Sequence, residues 1–405
     1  MISTRLGGLF GALHERNFRL LWIGQTTSSF GDSLIPVALA FAVIELTGSR
    51  SDLGFVLMAG LIPRVGLVLV GGVWADRLRR QVVMLTADGV RCASQAVVAV
   101  LLLSGAAEIW HLIVLSAVYG AATAFFSPAE TGLIPATVSA ERLQEANALM
   151  SLSRSAAWVV GPAVAGGLVA VSSPGWAFVV DSASFAVSSV SLALLSIAAV
   201  QAVARSRFMD DLREGWREVT RRTWVWASIL YFGLWNLTIA PVWVLGPFVA
   251  SDSLGGASAW GLIATCAAIG SVIGGVLALR LKPTRPLFVA YIAVSLMALE
   301  PAALARPFPL YVVAVSAIAG VTALSLADTI WRTTLQSHIP TDRLSRVSAY
   351  DWLGSLVFAP IGYALAGTVA EAIGTRATLL ASAAILGSTA LVVAFLPDVR
   401  GLRRI

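Results

Sequence analysis

What this chain has least of is charge. Only 12% of its 405 residues are Asp, Glu, Lys or Arg, against about a quarter in a soluble domain whose surface must be wetted. A soluble enzyme is excluded on that ground. Lysine is almost missing: Lys282 stands alone among 28 basic residues, so no GxxxxGK[ST] phosphate loop exists and ATP hydrolysis by that device is ruled out. The two cysteines, Cys92 and Cys266, lie inside apolar runs of different segments, which leaves no disulfide framework and no zinc site. His14, His111 and His338 are far apart and none stands in H-E-x-x-H, so no hydrolytic metal centre is expected, nor any cofactor. A β-barrel is excluded as well, because the apolar runs are continuous over about 20 residues rather than alternating over about ten.

What is present is hydrophobic sequence: 58% of residues, with a mean hydropathy of +0.83. A spanning helix takes about 20 apolar residues. Twelve runs between charged or Pro/Gly breaks meet that length: 18–45, 52–75, 82–104, 109–135, 147–172, 175–200, 224–251, 258–280, 286–305, 308–337, 347–371 and 375–397. The first is too long for a signal h-region and no small-residue cleavage site follows it, so it is expected to stay in the mature protein.

The net charge of +6 would suggest nucleic acid on a soluble protein, but its location gives it another meaning. Arg and Lys gather before the first run and after every second one, while the alternate connections hold only Arg50, Arg306 and Arg376. Basic loops are retained in the cytoplasm. Both termini are therefore expected there, in the inner (cytoplasmic) membrane, with an even number of spans.

The halves repeat. Gly71-Gly72-Val73-Trp74-Ala75-Asp76-Arg77-Leu78-Arg79 matches Gly274-Gly275-Val276-Leu277-Ala278-Leu279-Arg280-Leu281-Lys282 at half the chain length, and Ile134-Pro135 recurs as Ile339-Pro340. The expected fold is an all-α membrane protein of twelve transmembrane helices in two pseudo-symmetric six-helix bundles, 1–200 and 224–405. Since six is even, both copies share one orientation, with the pseudo-two-fold along the membrane normal. Between them, 201–223 is polar, with Phe208, Leu212, Trp216 and Val219 at near-helical spacing. It reads as an amphipathic helix on the cytoplasmic membrane surface, the alternative being a solvated linker.

Gly72-x-x-x-Asp76-Arg77-x-Arg79-Arg80 resembles the loop motif G-x-x-x-D-R-x-G-R-R/K of the major facilitator superfamily, departing from it at Arg79 and Gln81. Phe18-Arg19-x-Leu21-Trp22, Gly31-Asp32, Pro63-Arg64, Asp88-x-x-Arg91 and Asp181-x-x-Ser184-Phe185 are similar to its drug and siderophore exporters, the group that holds macrolide and enterobactin exporters. Gly161-Pro162 with Gly166 resembles the antiporter motif G-P-x-x-G-G with one residue inserted. The resemblance implies proton-coupled efflux of a small organic molecule.

Charges inside the spans sharpen the expectation, because an unpaired charge in hydrocarbon costs about 3 kcal/mol or more. Asp32 lies roughly 21 Å into the first helix at 1.5 Å per residue. With Gln25, Ser28 and Ser29 it forms a polar stripe expected to line a central cavity, where a carboxylate can exchange a proton as its surroundings change. Arg64, mid-helix in the second run, is the expected counter-charge. Asp181 is the next acid, Trp235 and Asn236 offer a deeper wall for a bulky ligand, and Glu300 before Pro301 reads as a bend marker. Asp88, Arg91, Glu130 and Arg154, together with the Gly72, Asp76, Arg77 and Arg80 loop, read either as a gate between the halves or as static helix-end ion pairs. Asp328, Arg332 and Asp351 read as the corresponding second-half cluster.

The expectation is a non-enzymatic, monomeric secondary exporter working by proton antiport and alternating access. Its partners are a small-molecule substrate, protons and the lipid bilayer. An importer or facilitator on the same fold is the alternative.

Overall fold

A computed structural model describes residues 11–197, 216–306 and 308–404, without the side chains of 69–77, 341, 342, 345, 346 and 349. Twelve of its helices are long and apolar enough to cross a membrane: α1 (Arg16–Leu46), α2 (Arg50–Arg77), α3 (Arg80–Ser104), α4 (Ile109–Ala136), α5 (Ala140–Val171), α6 (Pro174–Ala193), α7 (Thr223–Leu254), α8 (Gly256–Arg280), α9 (Pro286–Ala305), α10 (Leu310–His338), α11 (Tyr350–Ile373) and α12 (Thr375–Phe395). A short helix, α13, follows at Pro397–Gly401. Among the described residues there is no strand. In lipid every backbone polar group must be satisfied within its own segment, and helices do this with their i→i−4 bonds.

The helices form two compact units, 1–48 with 59–204 and 49–58 with 205–405. Residues 49–58, the first turns of α2, thus group with the second unit, whereas the sequence boundary falls between 200 and 224. Within that unit, the Glu371 carboxylate accepts from the Ser51 amide at 3.2 Å, and the Arg50 guanidinium lies 5.2 Å from the centre of the Phe248 ring.

Each unit uses the same contacts. In the first, α1 packs on α5 and α6, and α3 on α4 and α6; in the second, α7 packs on α11 and α12, and α9 on α10 and α12. The repeat read from the two motif copies is therefore a repeat of packing. Van der Waals fit drives association of helices in lipid, so small residues mark the contacts. Gly24 and Gly31, two turns apart on α1, admit α6: a side-chain carbon at Gly24 would lie 3.2 Å from Ser188 Cα, and one at Gly31 would lie 2.9 Å from Asp181 Cα. On α5, a carbon at Gly161 would lie 2.6 Å from Ser33 Cβ. The antiporter-like glycine thus seats α5 against the residue that follows Asp32.

Two helices of the second unit are irregular. Pro241 and Pro247 lie within α7, which ends in a π turn at Ala250–Leu254, and α9 is interrupted by a 3-10 segment at Ser295–Ala298. The described end of the linker is helical at 216–220. Glu218 and Val219 are buried in the second unit, and Trp216 meets the Tyr350 ring at 5.7 Å. That part of the linker docks on protein, so Val219 does not share a membrane-facing stripe with Trp216. Phe208 and Leu212 lie outside the described residues.

Candidate functional site

The first unit encloses a polar cluster built from α1, α3, α4 and α6. Asp32, half-buried on α1, accepts a hydrogen bond from the Tyr119 hydroxyl on α4. Asp181 on α6 is fully buried; its Oδ2 accepts from Gln95 Nε2 at 2.6 Å. A side-chain carbon at Gly31 would lie 2.5 Å from Asp181 Oδ1, so the backbone just before Asp32 abuts this second carboxyl. On α3, Asp88 pairs with Arg91 at i,i+3, both buried, and the Ser188 hydroxyl donates to Asp88 Oδ2 at 2.6 Å. Gln25 Nε2 donates to Ser188 Oγ at 3.2 Å and closes the chain back to α1. The Arg91 guanidinium is sandwiched by aromatic rings, 3.9 Å from the Phe126 centre and 4.4 Å from that of Phe185. Cation–π contact of this kind strengthens when the site is shielded from water.

The charge balance is uneven. Among the described residues, Asp32, Asp88 and Asp181 share this interior with one buried cation, Arg91, and that cation is already paired with Asp88. Neutral donors from Tyr119, Gln95 and Ser184 serve the other two acids. Like charges sharing a shielded site cannot all be ionised cheaply.

Arg64 does not take the place expected of it. It is exposed and makes no hydrogen bond or ion pair among the described residues. Height along a helix is readable from residue count, but the direction a side chain faces depends on which helices adjoin it. Asp88 and Arg91 are likewise members of the interior cluster, whereas Glu130 and Arg154 form a separate pair at 2.8 Å with Arg154 half exposed. Of the α1 stripe, Gln25 and Ser28 are buried in helix packing, with Ser29 and Asp32 only half-buried.

Arg80 Nη1 donates to the Gly132 carbonyl at 2.6 Å. The side chains of Gly72, Asp76 and Arg77 lie outside the described residues. In the second unit Asp328 and Arg332 form an exposed pair at 2.9 Å, while Asp351 accepts from Trp331 Nε1 at 3.0 Å; the anticipated trio is two separate contacts. Asn236 donates to its own helix at Phe232, and Trp235 Nε1 is shielded without an acceptor among the described residues. Phe232 is used in packing, its ring 6.3 Å from that of Trp331. Glu300 is buried next to the α9 break and has no hydrogen bond or ion pair among the described residues.

Sequence reasoning passed over Tyr119, Gln95 and Phe126, and named Phe185 only as part of the exporter-like motif with Asp181. A signal for two of them was present: Tyr119, Thr123 and Ser127 recur every four residues on α4, and Gln95 continues the Asp88–Arg91 face of α3 by one turn.

A two-unit bundle of twelve spans with a charged interior defines a membrane transport protein rather than an enzyme. The major facilitator superfamily model matches residues 21–356, and the chain belongs to that superfamily. It is similar to macrolide efflux protein A of Streptococcus pyogenes, 24% identical over 399 residues, covering 95% of this chain and 97% of the relative. It is also similar to the multidrug efflux pump Tap of Mycolicibacterium fortuitum, 28% identical over 405 residues with 95% and 96% covered. Solved structures with the same fold include the nucleoside transporter NupG (TM-score 0.73, 14% identity, 93% of this chain and 98% of that one). A bacterial homologue of the lysosomal transporter Spinster, inward-facing, has TM-score 0.71 and 16% identity, with 96% and 98% covered.

Proposed function

We propose that this chain exports a small amphiphilic organic molecule by proton antiport, alternating between inward- and outward-facing states. Macrolide efflux protein A and the efflux pump Tap, each matched over nearly its whole length, support export. The observation that carries the coupling is the surplus of carboxylates around Arg91: a proton and a cationic or hydrogen-bonding ligand compete to relieve the same negative charge at Asp32 and Asp181. Competition for one site makes release of one conditional on arrival of the other, which is antiport. Asp32 is the member of the pair with access, being half-buried where Asp181 is sealed. Both termini and the linker lie in the cytoplasm in this reading, and the Gly72–Arg80 loop biases the equilibrium between states.

Everted vesicles under an imposed proton gradient test the reading, with a radiolabelled macrolide and a cationic dye as probes. Asp32→Asn fixes the carboxyl as its neutral isostere. It abolishes gradient-driven accumulation by an order of magnitude or more, while binding of the probe persists and loses its pH dependence. Accumulation at the wild-type rate by the variant removes Asp32 from the coupling.

A further inference from the structure

Between the end of α8, the start of α9 and the tail after α13, the second unit carries a cavity of about 740 Å³ lined by Lys282, Thr284, Arg285, Arg403 and Arg404. Two chain segments that are remote in sequence build it. The tail is fixed to the 281–285 loop by the Arg404 amide donating to the Thr284 carbonyl at 3.1 Å, and to α10 by His338 Nε2 against the Arg403 carbonyl at 3.1 Å. Four cations therefore face one space, and among the described residues no acid lines it and none of the four has an ion-pair partner. Such an arrangement repels itself until an anion enters.

The position limits what the anion is. Lys282 follows the last residue of α8 by two, and Arg285 immediately precedes α9, so the cavity lies where the hydrocarbon ends and headgroups begin. Its surroundings are apolar on the membrane side: Leu279, Leu281 and Phe395 are exposed, and Phe395 meets Phe288, three residues past Arg285, at 5.7 Å between ring centres. A soluble phosphate would use the cations and leave these side chains bare. A phospholipid uses both.

We infer that this cavity binds the phosphate of an anionic phospholipid, with the acyl chains lying along Leu281 and Phe395. Basic pockets at the cytoplasmic ends of transmembrane helices suit such headgroups, each Lys or Arg contributing on the order of a fivefold gain in affinity. The inference does not depend on the transport reading.

The test is native mass spectrometry and thermal melting of the full-length protein in nanodiscs, comparing cardiolipin or phosphatidylglycerol with phosphatidylcholine alone. Wild type retains bound anionic lipid and melts higher with it. Lys282→Gln with Arg404→Gln weakens retention on the order of 25-fold, the two charges multiplying, whereas Arg16→Gln with Arg217→Gln, which removes two exposed cations elsewhere, leaves it within about twofold. If the first pair fails to fold, the wild-type melts still decide: equal melting in anionic and neutral lipid overturns the proposal. Equal losses from both variant pairs overturn it too, by showing diffuse charge rather than a site. A matching stabilisation by inorganic phosphate assigns the cavity to a soluble anion and overturns the lipid assignment.

Discussion

At the scale of single residues the interior of the first unit is a problem in charge pairing, and Arg91 is its pivot. It is the cation paired with Asp88, and it lies between two rings. Removing one partner of a buried pair leaves the other uncompensated, at about 3–5 kcal/mol, more than the pair itself is worth. Arg91→Gln is therefore expected to lower thermal stability in detergent sharply, and Asp88→Asn added to it to recover a good part of the loss. Arg64→Gln, on an exposed side chain, should leave the melting temperature nearly unchanged. Equal destabilisation by Arg64→Gln and Arg91→Gln would show that the pairing has been misread. Asp32 and Asp181 were legible in the sequence because a carboxylate deep in an apolar run demands an explanation. Tyr119 and Gln95 were legible only through their spacing with neighbouring polar residues, because a neutral hydroxyl or amide in a helix can be satisfied by its own backbone and so demands no partner. Arg64 was assigned to Asp32 on depth alone, and depth carries no information about azimuth.

Among the elements, the twelve spans were readable because hydrocarbon thickness sets a length that sequence must meet; most bounds agree with the apolar runs to within about three residues, while the fifth span starts at Ala140 rather than 147 and the sixth ends at Ala193 rather than 200. The linker was harder, since an amphipathic face is the same whether it covers lipid or protein. Its described end is held by Glu218, which is buried and accepts from Arg222 on its own segment and from Arg343 beyond α10, with Arg221 at 4.0 Å. The hydrogen bond from Arg222, then that from Arg343, holds the Glu218 carboxyl below its ordinary value of 4.5. A group depressed in the folded state stabilises above its unfolded value and stops doing so as pH falls through the folded one. Docking of 216–222 is thus expected to be constant from neutral pH down to the ordinary glutamate range and to be lost only below it. Hydrogen exchange of these amides measures this. Glu218→Gln should exchange fast at every pH, while slow exchange in that variant would assign the docking to Val219 and Trp216 instead.

For the whole molecule, charge does what hydrophobicity cannot, which is to give direction. Twelve apolar helices insert equally well either way up, and the duplicated packing of the two units preserves whichever orientation the first unit takes, because six spans return the chain to its starting side. The bias comes from the connections: Arg217, Arg221 and Arg222 lie beyond the sixth span and Lys282 and Arg285 beyond the eighth, while the connection after the ninth holds only Arg306. Basic residues close to span ends resist translocation and hold their loops on the cytoplasmic side. Arg217 and Arg306 are both exposed, so each can be replaced by cysteine without disturbing packing. Cys92 and Cys266 lie within spans and are only half-buried, so the parent chain sets the background. An impermeant maleimide is expected to label Arg306→Cys in intact cells and Arg217→Cys only in everted vesicles. The opposite pattern would invert the molecule and carry the basic cavity of the second unit to the outer leaflet, while the proton gradient would still set the direction of exchange.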